Sequence, residues 1–115
     1  MPITHGLYIE KKKGHIWIRL PNVVKKDNIT HIENRIETSL KGYKGNVVID
    51  LSDTLSIFSI LVTLLMHIEK QVTEAGGVVE LVNVSKKCQE QLKSMNLDRI
   101  LTIGKKEAGA GKKAE

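Results

Sequence analysis

The chain is poor in several residues on which binding and catalytic chemistry is commonly built. It has one cysteine, Cys88, so no internal disulfide can form. Aromatic residues make up 3% of the chain. Single-strand nucleic-acid binding leans on aromatic platforms for base stacking, so that activity is disfavoured, and the core has to come from Ile, Val and Leu. No apolar run is long. The longest, around Ile57 to Met66, is about half of the ~20 residues that span a bilayer. The N-terminal stretch MPITHGLYIEKKK has no apolar signal core. The expectation is a cytoplasmic protein without membrane insertion.

Catalytic and cofactor signatures are missing too. His5, His15, His31 and His67 show no His-x-His or His-x-x-x-His spacing, and Cys88 has no cysteine partner, so no metal is expected. The segment NVVIDL runs into SDTLSIFS, which contains no glycine. Neither a phosphate loop nor a dinucleotide fingerprint is present, and no cofactor is expected. Ser59 lies between Phe58 and Ile60, so the Gly-x-Ser-x-Gly elbow of hydrolases is absent. Asp50 closes an apolar segment, as a phosphoacceptor aspartate would, but no second acidic strand end accompanies it to hold Mg²⁺. Asp50 and Asp53 read as turn and capping residues, and the protein reads as a non-enzyme.

What is present is ordinary for a small globular protein. The 115 residues suit one domain, with 41% apolar and 27% charged residues. The net charge is +5. Its lysines fall in clusters such as Lys11 to Lys13, Lys25-Lys26 and Lys86-Lys87. These sit in apparent loops and helix starts rather than along one helix face, so they read as solvated surface. A basic nucleic-acid-binding protein is the competing reading, and it requires steeply salt-dependent binding.

Periodicity organises the chain into β-β-α-β-α-β-α-β. In LYIEKKKGHIWIRL, Leu7 and Ile9 alternate with Tyr8 and Glu10, and Ile16, Ile18 and Leu20 alternate with Trp17 and Arg19. That is a hairpin with one buried face, turning at Gly14. Ile29, Ile32, Ile36 and Leu40 follow the helical period, with Asp27 or Asn28 as cap and Gly42 as terminator. The β-branched run of NVVIDL suggests a central strand covered on both faces. A helix of about four turns then ends at Gly76-Gly77, and VVELVNV forms a second buried strand. Ser85 caps a third helix with Cys88, Leu92 and Met95 on its inner face, and LDRILTI makes a turn and a short last strand. Strands separated by helices imply right-handed crossovers and a mainly parallel sheet of four to five strands. GKKEAGAGKKAE has no periodicity and is expected to be a disordered tail over 104–115, leaving 1–103 as the folded domain.

The helix over 58–74 holds the most information. At 100° per residue, Leu61, Leu64, Leu65, Ile68 and Val72 form one apolar stripe. Ser59, Thr63, Met66, His67 and Lys70 fall on another face and form a candidate partner-binding surface, which Asp53 and Ser56 extend at its N-terminal end. First-turn N–H groups and the helix dipole create positive potential there, so a phosphate on Ser59 would be tolerated by its own chain and felt by a docked partner. The plainer reading makes Ser59 a first-turn polar residue and Ser56 the N-cap.

The stretches VVIDLS, EAGGVVELVNVS and LKSMNLDRILTI, in this order and spacing, resemble the STAS domain found in anti-sigma factor antagonists. The resemblance covers roughly residues 6 to 103, with Asn96 where the family commonly has Gly. It implies a small α/β domain of a bacterial transcription switch that acts by binding an anti-sigma factor, itself a serine kinase. That kinase phosphorylates a serine at the start of the helix after the central strand, which breaks the complex. The family pattern at this point is Asp-Ser-Ser-Gly-Leu-Gly. Here Phe58, Ser59, Ile60, Leu61, Val62 and Thr63 occupy it. Ile60 stands at the second Ser, the usual phosphoacceptor, so the motif itself names no acceptor. The hydroxyls left are Ser59, which keeps the first Ser and is the phosphorylation candidate, and Thr63. The departure from the pattern favours an alternative role, a non-phosphorylated scaffold subunit of a larger signalling or transport complex.

Overall fold

Residues 6–104 are described by the computed structural model. Apart from Gly104, the expected tail lies outside them. The order of elements is the expected one: strands β1 (Tyr8–Lys12) and β2 (His15–Arg19), helix α1 (Ile29–Leu40), strand β3 (Asn46–Asp50), helix α2 (Ser59–Glu74), strand β4 (Val79–Val82), helix α3 (Lys86–Ser94), a 3₁₀ turn (Leu97–Arg99) and strand β5 (Thr102–Ile103). The hairpin pairs Lys12 with His15, leaving two turn residues. Gly14 takes φ +91° there, a conformation that costs a side-chain-bearing residue more.

The five strands lie in chain order, with β1 antiparallel to β2 and the rest parallel. Right-handed crossovers, the rule for β-α-β units, that each move one strand along put all three helices on one face of the sheet. The register agrees. Ile9, Ile18, Ile49, Leu81 and Ile103 sit side by side across all five strands. That row packs with Ile32 and Ile36 of α1, Leu61, Leu64, Leu65 and Ile68 of α2, and Cys88 and Leu92 of α3 in one aliphatic core.

The other face corrects the expectation that the central strands are covered on both sides. Its row runs Glu10, Trp17, Val48, Glu80 and Thr102, and Val48 is only half-buried. A β-branched run has the same appearance whether its second face meets a helix or its own neighbours. Here long polar side chains do the covering. The Lys12 ammonium lies 4.9 Å from the Trp17 ring centroid and the Arg19 guanidinium 5.3 Å from that of Tyr8. Trp17 is thereby 7% exposed on a face that no helix among the described residues covers.

Helix ends supply two further corrections. Asn28 stands at the N-cap of α1 without capping it. Its side chain turns back instead, accepting from Lys25 N at 2.9 Å and donating to Val23 O at 3.0 Å. Met95, expected on the inner face of α3, is the C-cap residue and is exposed, because the helix stops one residue before it. The Ser85 cap is as expected: its hydroxyl accepts from Cys88 N at 3.1 Å.

Candidate functional site

The loop from Leu51 to Phe58 joins the central strand to α2 and determines what surrounds Ser59. It begins on a buried carboxylate. Asp50 Oδ1 accepts from Ser52 N at 2.9 Å and from Asn83 Nδ2 at 3.1 Å, which ties the ends of β3 and β4 together and matches its expected turn role. Thr54 N closes a turn onto Leu51 O at 3.0 Å. Ile57 then enters the core, and its N–H donates to Gln91 Oε1 of α3 at 2.8 Å. Asp53 stays at the surface and pairs with Arg19 at 3.5 Å.

With Thr54 and Ile57 inside, the residue directly after each of them points out. Leu55 and Phe58 are 66% and 67% exposed, and Val23 of the loop after β2 is 46% exposed. Pro21, Val23, Val24, Leu55, Phe58 and Leu61 line a groove of about 230 Å³. A more polar hollow of about 580 Å³ adjoins it, shares Pro21, Asn22, Val23 and Leu55, and adds Asn28, Ser52 and Asp53. Clustered apolar exposure with a polar rim is the usual character of a protein-docking surface.

Phe58, not Ser56, is the N-cap of α2, and it provides no side-chain cap hydrogen bond. Ser59 is the first helical residue and is exposed. The stripe drawn from the sequence then divides. Thr63 is exposed one turn on, its Oγ1 donating to Ser59 O at 3.1 Å. Ser56 is half-buried beside the loop tether. Met66 is half-buried and packs against the core, which corrects its place on an exposed stripe. His67 Nε2 lies 3.8 Å from Glu37 Oε2 of α1, and Lys70 is exposed. Lys70 stands 11 residues beyond Ser59, or about 16 Å along the axis at 1.5 Å per residue. The geometry therefore gathers Asp53, Ser56, Ser59 and Thr63 around one end of α2 and leaves His67 and Lys70 farther down.

Val23, Leu55, Phe58 and Gln91 were missed in the sequence. Phe58 carried a signal: it is the chain's one phenylalanine and occupies an N-cap position, where Ser, Thr, Asp and Asn are preferred. Gln91 lies three residues after Cys88 and next to Leu92, on the inward side of α3, where a polar residue needs a partner.

Among the described residues, no group of three His, Cys, Asp or Glu side chains could hold a metal ion. Nor, among them, is any helix long and apolar enough to cross a membrane.

The STAS domain family model matches residues 7–110. Solved structures share the fold. A Thermotoga maritima protein put forward as an anti-sigma factor antagonist is 25% identical, with a TM-score of 0.77 over 92% of this chain and 91% of its own. An anti-sigma-factor antagonist (STAS) domain protein from Planctomyces limnophilus is 21% identical, with a TM-score of 0.79 over 90% of this chain and 93% of its own. The anti-sigma factor antagonist SpoIIAA in its unphosphorylated form is 17% identical, with a TM-score of 0.71 over 90% and 91%. A comparison with curated proteins found no match.

Proposed function

The chain belongs to the STAS domain family, and on that premise we propose that it acts by binding, as an anti-sigma factor antagonist that docks an anti-sigma factor of the serine-kinase type and so regulates transcription. One observation carries the reading: the exposed apolar pair Leu55 and Phe58 flanks the start of α2, beside Asp53, Ser56 and Ser59. Burying what is still exposed of two such side chains on a partner contributes at most about 1.5–3 kcal/mol each, before the cost of association. Thr63 extends the docking surface along α2, with Met66, His67 and Lys70 at its far margin.

Ser59 is the phosphorylation candidate within this surface. It is exposed, and the first-turn N–H groups behind it favour a negative charge. A phosphate there adds ≈ −1.5 to −2 charge beside Phe58, and an apolar contact made by Phe58 would have to desolvate it. The test compares wild type with Ser59→Asp in a pull-down from lysate of the cells that make the protein. A histidine-kinase-like ATPase retained by wild type and lost with Asp is the expected result. Equal retention by both forms removes Ser59 as the switch.

A scaffold role without phosphorylation is the second reading. It is favoured by Phe58 and Ile60 standing where the family has Asp and Ser. Under it, the protein elutes at native size as part of a large assembly.

A further inference from the structure

Between Thr54 and the first turn of α2, each buried anchor is followed directly by an exposed apolar residue. Thr54 and Ile57 are buried, while Leu55 and Phe58 are exposed. The anchors are held from α3, about 34 residues further along the chain. Ile57 N donates to Gln91 Oε1 at 2.8 Å, Gln91 Nε2 lies 3.5 Å from Ser56 Oγ, and Cys88 Sγ lies 3.7 Å from Thr54 O. Cys88, Gln91 and Leu92 share one side of α3 at helical spacing, so the elements that fix α3 to the core also fix the loop. A buried N–H that loses its acceptor is costly, and a loop already held in its bound shape gives up less freedom when it docks.

We propose that Gln91 is a positioning residue for the docking patch: its side-chain amide holds the loop in the shape that presents Leu55 and Phe58 together. This rests on the docking reading above. Gln91 itself need not touch the partner. Its Oε1 acts through Ile57, whose neighbour Phe58 is the exposed anchor.

Two arms test it, both on the full chain with Gln91→Leu and Gln91→Glu. In the free protein, amide hydrogen exchange of Ile57 should quicken about tenfold or more in Gln91→Leu, while Val47, Ile49 and Leu81 keep their protection. At neutral pH the Gln91→Glu carboxylate still accepts from Ile57 N and should restore protection. Unchanged Ile57 exchange in Gln91→Leu, or a rise spread evenly through β3 and β4, overturns the proposal. In the second arm, the ATPase recovered in the pull-down is purified and titrated calorimetrically. Weakening of about tenfold in Gln91→Leu, recovered in Gln91→Glu, is the expected result. Full affinity in Gln91→Leu with binding lost in Phe58→Ala overturns the positioning role and leaves the docking reading intact. Full affinity in both variants overturns the docking reading.

Discussion

Phe58 occupies a position where a helix normally has a small hydroxyl or carboxylate acceptor, and it is two-thirds exposed there. Truncating it removes no core packing. Phe58→Ala should therefore change unfolding free energy by no more than about 0.5 kcal/mol while abolishing capture of the partner, as denaturant unfolding and the pull-down would measure. A partner retained by this variant would move the docking surface elsewhere. Tyr8 allows a second residue-level prediction. Its hydroxyl donates to Glu10 at 2.7 Å, and that bond, with burial and the Glu10 charge adding to it, raises the phenol above its ordinary value. A raised pKa means that the fold favours the protonated form. The stability it adds is present below the ordinary tyrosine value of about 10 and is lost as pH climbs through the raised value. Ultraviolet titration should find a phenol that ionises late, and Tyr8→Phe should remove it.

At the scale of elements, turns and ends carry the local rules. Asn96 adopts φ +60° between α3 and the 3₁₀ turn, which explains how it stands where glycine is common: asparagine tolerates the left-handed region better than other residues with a side chain. Asn96→Ala should cost about 1 kcal/mol and Asn96→Gly much less, read from thermal unfolding. Gly77 has a different reason for lacking a side chain, since a Cβ there would meet the Gly45 carbonyl. The same scale divides what the sequence could reveal from what it could not. Ile32, Ile36 and Leu40, or Leu61, Leu64, Leu65, Ile68 and Val72, are legible because burial repeats with the helical period. Ser85 is legible because its cap bond is local. Asn28 misled because its short side chain had two local partners available and the turn at Val23 and Lys25 won. Leu55 and Gln91 were hidden for another reason: which apolar residue of an aperiodic loop goes inside depends on an element some 34 positions away.

At the scale of the whole fold, the decisive fact is a sheet whose helices, among the described residues, lie on one face. The two faces should answer differently to the same truncation. Ile49 is fully buried in the central strand, so Ile49→Ala should cost about 2–5 kcal/mol in denaturant unfolding. Val48 lies one residue away on the open face and is half-buried, so Val48→Ala should cost less than about 1.5 kcal/mol. Equal losses would mean that both faces are packed. The β-α alternation made this architecture legible, yet the run of Val47, Val48 and Ile49 could not say which face the described helices cover.

The strand order has a consequence for how the protein is made. Each strand pairs with the one completed just before it, so the pairing order of the sheet is the order in which a ribosome delivers its strands, at ≈ 5–20 residues per second. The loop that displays Leu55 and Phe58 does not mature on that schedule. Its Ile57 N–H bonds to Gln91, which emerges only after β4, so that bond cannot form while α3 is still unmade. On the proposed reading, Leu55 and Phe58 would be set for docking only once α3 has been made.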